Sequence, residues 1–155
     1  MTLEQVRSAA GMISIKGVII GTIALYVAIP FFDVAAIIGV EHIIGIADFP
    51  KAQRLAAFNT WMEPRPPLYL LIVFCRSCAA IVSGYIAAWL AKHDQVLNGT
   101  LTTLTNFGGG LYALIATPLS FKFLSILGWA LLPLFGAAGG YIRLRQDAHR
   151  AAALT

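Results

Sequence analysis

Hydrophobic and polar positions along the chain alternate on a coarse scale, in long apolar blocks separated by short charged punctuation. The first block, "GVIIGTIALYVAIPFF", runs from Gly17 to Phe32 with Arg7 and Lys16 ahead of it. The second, Leu68 to Leu90, is opened by Pro66 and Pro67, which suit a first helical turn because its amides are unpaired anyway. A third block, Val96 to Thr117, follows the turn "KHDQ", and a fourth, Phe121 to Ile142, follows the break "PLS". Blocks of this length match the ~20 apolar residues that a helix needs to cross a ~30 Å hydrocarbon core. The pattern predicts an all-α integral membrane protein, a four-helix transmembrane bundle built as a single domain over residues 1–155. The first block also has the basic start of a secretion signal, but it is longer than a typical signal core and no A-x-A site follows, so it reads as a retained helix.

The connection of about 33 residues from Asp33 to Arg65 breaks the rhythm. A structureless loop of that length is unusual, so helix is expected within it. With Asp48 as cap and Pro50 in the first turn, Leu55, Phe58 and Met62 share a face apart from Lys51 and Arg54, the pattern of an amphipathic helix lying on the membrane surface. Residues 35–46 either continue the first span or turn back toward the bilayer, with Glu41 and His42 opposing full insertion.

Composition supports this picture. Of 155 residues 59% are hydrophobic and 12% charged, with a mean hydropathy of +0.79, which would leave a water-soluble domain short of surface charge. Net charge is +4, and its placement sets orientation. Arg7, Lys16, Lys92, Arg143, Arg145 and Arg150 fall on the side of both termini, with Glu4, Asp94 and Asp147 as the acids there. Lys51, Arg54, Arg65 and Lys122 fall opposite, with Asp33, Glu41, Asp48 and Glu63. The excess of basic residues predicts cytoplasmic termini and an outward connection over residues 33–67. No basic stripe with interleaved aromatics speaks for nucleic-acid binding. No His/Cys/carboxylate cluster speaks for a metal, and no cofactor is implied; His42, His93 and His149 lie in connections or the tail, unsuited to a haem.

One basic residue remains inside a span. Arg76 sits in "LIVFCRSCAAIV" between Cys75 and Cys78, where a bare guanidinium costs ~2.5–3.5 kcal/mol on insertion scales. Asp33, at the outer end of the first span, is the expected partner. Contact of Arg76 with an anion, a substrate or a quinone is the sharper alternative. Cys75 and Cys78 share a helix face, the geometry of thiol–disulfide oxidoreductases, yet they lie in apolar surroundings that disfavour a thiolate. As packing residues they would serve as small polarizable groups.

Small residues recur at spacing four: Gly17 and Gly21 in the first span, Ala80, Gly84 and Ala88 in the second, Gly136 and Gly140 in the fourth. Such residues let helix backbones approach closely in lipid. The third span is polar in its first half, and Asn106, on one face with Gly99, Thr103 and Gly110, is the informative residue there. It reads either as an interhelical hydrogen bond or as part of a pore lining. The sequon at Asn98 falls on the cytoplasmic side and carries no glycan in this reading.

These residues resemble three groups in part. Span number, termini and the Cys-x-x-Cys in the outer half of the second span are similar to the quinone-linked disulfide-generating family, but the second cysteine pair of its relay has no counterpart here. Gly99, Thr100, Leu101 and Asn106 resemble a stretch of the fluoride-channel subunits, with different spacing. "SGYIAAWLAKHDQVLNGTLTTL" and "GAAGGYIRLRQ" resemble a loose group of uncharacterised bacterial four-span inner-membrane proteins with a Gly-rich second span and an Asn-Gly start of the third, over about half the chain. That resemblance implies a bacterial inner-membrane home and no activity. The sequence therefore favours a small non-catalytic membrane protein acting through helix contacts, as a homo-oligomer or with a larger membrane-protein partner. A channel or transporter subunit and a thiol oxidoreductase using Cys75 and Cys78 are the competing expectations.

Overall fold

The computed structural model describes residues 13–45, 48–62, 66–91, 93–106 and 119–153. Among these the structure is all-helical: α1 Ile15–Ile44, α2 Lys51–Met62, α3 Pro66–Ala91, α4 Gln95–Leu104 and α5 Leu119–Ala152. Three of them, α1, α3 and α5, are long and apolar enough to cross a membrane, and their outward residues are lipid-compatible. Ile19, Ile23, Val27, Phe31, Phe74, Phe123 and Leu134 are all exposed, as expected where hydrocarbon rather than water is the solvent.

α1 begins at Ser14, whose hydroxyl accepts from the Gly17 amide, and it ends on Gly45, which takes the left-handed conformation (φ 72°) and returns its amide to Glu41 and His42. Between these caps it runs 30 residues, about 45 Å at 1.5 Å per residue. The first span therefore does not stop at Phe32, and residues 35–44 neither loop nor re-enter; they continue the helix. Asp33 accordingly lies within α1 rather than at its end, with 11 further helical residues beyond it. The apolar window of α3 is Leu70–Ala91, and an equal length of α1 from Ile15 ends near Ala36. Glu41 and His42 lie beyond that length, yet still inside the Ile15–Ile43 stretch that is apolar enough to cross a membrane.

α2 supplies the helix expected in the long connection. Its start differs by one position: Pro50 stands before the first turn, its carbonyl accepting from Gln53 and Arg54, and the Arg54 Nε donates to Phe49 O at 2.6 Å. The side chains of Lys51, Leu55, Phe58 and Met62, on which the amphipathic face was argued, lie outside the described residues. α3 passes to α4 through residues 92–94, so Gln95 belongs to the helix and not to the turn. Asp94 takes a left-handed conformation (φ 42°) there, tolerable for aspartate. α4 covers the first half of the expected third span, and residues 107–118 of that span lie outside the described residues, Gly110 among them. α5 extends ten residues past Ile142 as continuous helix.

The core is thin and made of small side chains. Leu25, Ala79, Ala80 and Leu132 form its buried cluster, with Ala28, Ile29, Phe32, Trp129 and Phe135 packed around it. α3 is the hub, touching α1, α4, α5 and the edge of α2. The start of α1, the end of α3, the start of α4 and the end of α5 gather at one end of the bundle, since Ser14 bonds Asn98 and Gln95 bonds Asp147.

Candidate functional site

The glycines explain how close these helices come. Gly84 of α3 lies on the main chain of Gly136 of α5. A Cβ on Gly136 would in turn meet the Gly99 carbonyl of α4 at 2.5 Å and Thr103 Oγ1 at 2.6 Å. Gly139 sits on the Ile81 carbonyl and Gly140 on that of Gln95. Three backbones thus meet at one junction, where contact area and carbonyl dipoles replace the hydrophobic drive that lipid withholds. On the opposite side of α3, a Cβ on Gly17 would reach the Ala87 carbonyl at 2.8 Å, and one on Gly21 would reach both the Ala87 methyl and Thr102 at 2.8 Å. Ala80 and Ala88 are fully buried. All seven small residues singled out in the sequence lie at buried or close-contact positions between helices; Gly99, read only as part of the Asn106 face, and Gly139, which lies beside the Gly136/Gly140 pair, belong with them.

The charged site is a clasp between α1 and α3. Arg76 donates through Nε to both oxygens of Asp33, at 3.1 and 3.0 Å, and through Nη2 to Oδ2 at 2.7 Å. The side chains are 26% and 17% exposed, so the pair is largely removed from solvent. Arg76 stands six residues inside Leu70, about 9 Å along the helix, and the planar fork meets a carboxylate in the geometry that suits it best. Next to it on the α5 side is a small cavity lined by Val73, Arg76, Ser125, Gly128, Trp129 and Leu132. Cys75 and Cys78 flank the clasp as free, half-buried thiols. The chain has no further cysteine to which they could pass electrons.

The polar face of α4 forms a second cluster. Gln95, Asn98, Thr102, Thr103 and Asn106 are all buried. Asn98 holds three elements: its Oδ1 accepts from the Ser14 amide at 2.8 Å, and its Nδ2 donates to the carbonyls of His93 and Asp94. Thr102 and Thr103 return their hydroxyls to carbonyls of their own helix. Thr105 does the same and meets Thr22 of α1 at 2.9 Å. Asp147 gathers Arg143 in an i,i+4 ion pair at 2.7 Å and the Gln95 amide at 2.8 Å, and Tyr85 donates to Gln146. Two buried atoms, Gln95 Oε1 and Asn106 Nδ2, find no partner among the described residues.

Ser14 and Ser125 escaped the sequence reading, Gln95 entered it only as part of a turn, and Asn98 only as a sequon and a member of the polar run. Asn98 reads as one member of a polar run, and only the fold shows that it caps the α3–α4 turn while pinning the start of α1. The Arg143–Asp147 spacing carries a legible signal for an ion pair. No group of three or more metal-ligating side chains occurs among the described residues. Compared with protein-family models, curated proteins and solved structures, the chain matches none of them.

Proposed function

We propose that this chain is a non-catalytic accessory or assembly subunit of a bacterial inner membrane, a four-span bundle with both termini in the cytoplasm. It acts through its lipid-facing helices, as a homo-oligomer or with a larger membrane protein. The observation that carries the reading is the Arg76–Asp33 clasp: the charge with the greatest chemical potential inside the spans is committed, through two nitrogens, to holding helices together. The glycine junctions serve the same end, and the thiols have no relay partner in the chain. The orientation is supported by Lys16, Arg143, Arg145 and Arg150 gathering at the end where the first and last helices have their outer termini. The span this reading adds to α1, α3 and α5 is the sequence-based third block, Val96 to Thr117, of which α4 is the described part.

Extraction into native-lipid discs followed by mass measurement tests this reading. A defined homo-oligomer, or a fixed stoichiometry with one membrane protein, is expected. A monomer that turns over a disulfide or conducts an ion overturns it.

The second reading, a channel or transporter subunit, is favoured by the Asn106 amide, buried at 2% exposure and without a partner among the described residues. An intramembrane donor in that condition costs about 1–3 kcal/mol unless a permeating species or another span meets it. Liposome flux that disappears in Asn106→Ala and survives in Thr100→Ala would establish that reading in place of the first.

A further inference from the structure

We propose that the outer face shared by α1 and α4 is a self-association surface, on which a second copy of this chain packs in parallel and sets its Tyr26 hydroxyl on the Thr22–Thr105 pair of the first. This surface rests on the homo-oligomer reading above and gives that reading a location.

Tyr26 stands eleven residues past Ile15, the start of α1. That is about 16 Å along the helix axis, near the middle of a ~30 Å hydrocarbon core. The residue is 50% exposed, and its hydroxyl makes no hydrogen bond among the described residues. Tyrosines of membrane helices favour the two interfaces, where the ring lies in lipid and the hydroxyl reaches water. From mid-core the ring cannot span the remaining half of the bilayer. Lipid chains offer the phenol no acceptor, so a partner that satisfies it has one at that depth.

The matching acceptors lie on the same patch. Thr22 is one turn before Tyr26 on the same helix face, and helical side chains lean toward the N-terminus, which brings the phenol toward the level of Thr22. Thr22 Oγ1 and Thr105 Oγ1 are 2.9 Å apart. Their two hydrogens are shared among three contacts, the one between them and those to the carbonyls of Val18 and Thr102 at 2.7 and 2.6 Å. The threonine pair thus has lone pairs to accept with and no spare hydrogen, whereas Tyr26 has a hydrogen to give. Within one chain the two do not bond. Two copies related by a two-fold axis along the membrane normal hold every residue at equal depth, so each Tyr26 meets the threonine pair of the other, the same patch being used twice.

The surface also has relief. Beside the threonine pair an open groove of about 410 Å³ runs between the first turns of α1 and the second half of α4, lined by Val18, Ile19, Leu101, Leu104 and Thr105 itself. Ile19 and, one turn on, Ile23 are exposed along α1. An apolar groove next to a ridge of isoleucines lets two copies interlock by close packing, with the buried hydroxyls supplying the interhelical hydrogen bonds that hold helices together in lipid.

Crosslinking of the full chain in native membranes, in a Cys75→Ala and Cys78→Ala background, tests the surface. Ile19→Cys is expected to give a covalent dimer with a membrane-permeant oxidant. Leu134→Cys, exposed on α5, is expected to stay monomeric. Tyr26→Phe, which removes one oxygen and keeps the ring, is expected to lower the dimer yield of Ile19→Cys several-fold. A dimer through Leu134→Cys and none through Ile19→Cys overturns the proposal and leaves the homo-oligomer reading standing on another face. No dimer at either position overturns it too, and the mass in native-lipid discs then shows whether the homo-oligomer reading falls with it. An Ile19→Cys dimer that forms equally well with Tyr26→Phe overturns the hydroxyl contact that defines the surface.

Discussion

Arg76 and Asp33, 43 residues apart in sequence, meet as a fork on a carboxylate with three contacts between 2.7 and 3.1 Å. Each residue is expensive alone in the hydrocarbon and inexpensive together, so the pair also fixes the register of α1 on α3. Asp33→Asn leaves the guanidinium without its counter-charge. Loss of one member of a buried pair costs roughly 3–5 kcal/mol, and the partial exposure here places the expectation at the lower end of that range. The melting temperature in detergent should fall by several degrees, and Arg76→Met with Asp33→Leu should recover part of it. An unchanged melt in Asp33→Asn would remove the clasp as a stabilising element.

The glycine junction makes a sharper steric prediction. Gly84→Ala would place a methyl on the main chain of Gly136, where backbone has no rotamer with which to yield. Overpacking of this kind costs typically ~1–3 kcal/mol. Gly39 of α1 is the matched control, because a Cβ there meets nothing within 4 Å, and alanine is the better helix former by about 1 kcal/mol. Gly39→Ala should melt at or above the parent, Gly84→Ala clearly below it. Equal melts for the two would show that α3 and α5 are not in backbone contact at that point.

How far this was legible in the sequence follows from the range of each interaction. Three of the four apolar blocks, the small residues at spacing four and the pairing of Arg76 with one nearby acid are local or nearly forced patterns, and they were readable; the second half of the third block lies outside the described residues. The lengths of α1 and α5 were not, because the sequence was divided at its polar residues. Asp33 looked like an end, whereas a paired carboxylate can sit inside a helix, and Glu41 and His42 do not interrupt α1, which runs on to Ile44. Asn98 was hidden for a different reason. Its role depends on Ser14, 84 residues away, and no periodicity reports such a contact. Cavities such as that beside Arg76 arise only from packing.

Asn98→Ala should therefore cost more than its place in a threonine-rich run implies. The substitution takes from the Ser14 amide its side-chain acceptor and removes the amide donor to His93 O, at a position that is fully buried, while the Asp94 carbonyl keeps the main-chain bond from residue 98. Buried groups left unsatisfied cost ~1–3 kcal/mol. Hydrogen exchange read by mass spectrometry should show faster exchange in the first turn of α1, around Gly17, in Asn98→Ala. Thr100→Ala, whose hydroxyl bonds only Val96 of its own helix in the structure, should leave that turn unchanged. Unaltered protection in Asn98→Ala would mean that Ser14 is held by other contacts.

The cysteines give the last prediction, and it separates packing from catalysis. Cys75 and Cys78 are unbridged and half-buried beside the clasp, and a catalytic pair would require an accessible thiolate and an exchange or electron-transfer partner that can reach it. Acid-quenched alkylation in native membranes should find both thiols reduced, and added oxidant or quinone should leave their alkylation mass unchanged. Cys75→Ala with Cys78→Ala should retain the assembly state of the parent, with a melt shifted only by the lost packing of two small sulfur-bearing side chains. If instead a disulfide forms and is turned over, Arg76 changes meaning. A guanidinium next to a reactive thiol stabilises the thiolate, so the same clasp that holds α1 on α3 would then regulate the charge available to the sulfur, and Asp33→Asn would speed thiol alkylation as well as weaken the fold. Measured together, alkylation rate and melting temperature in Asp33→Asn distinguish the two: a structural clasp lowers the melt while the thiols of the folded protein keep their slow rate, and a redox site moves both.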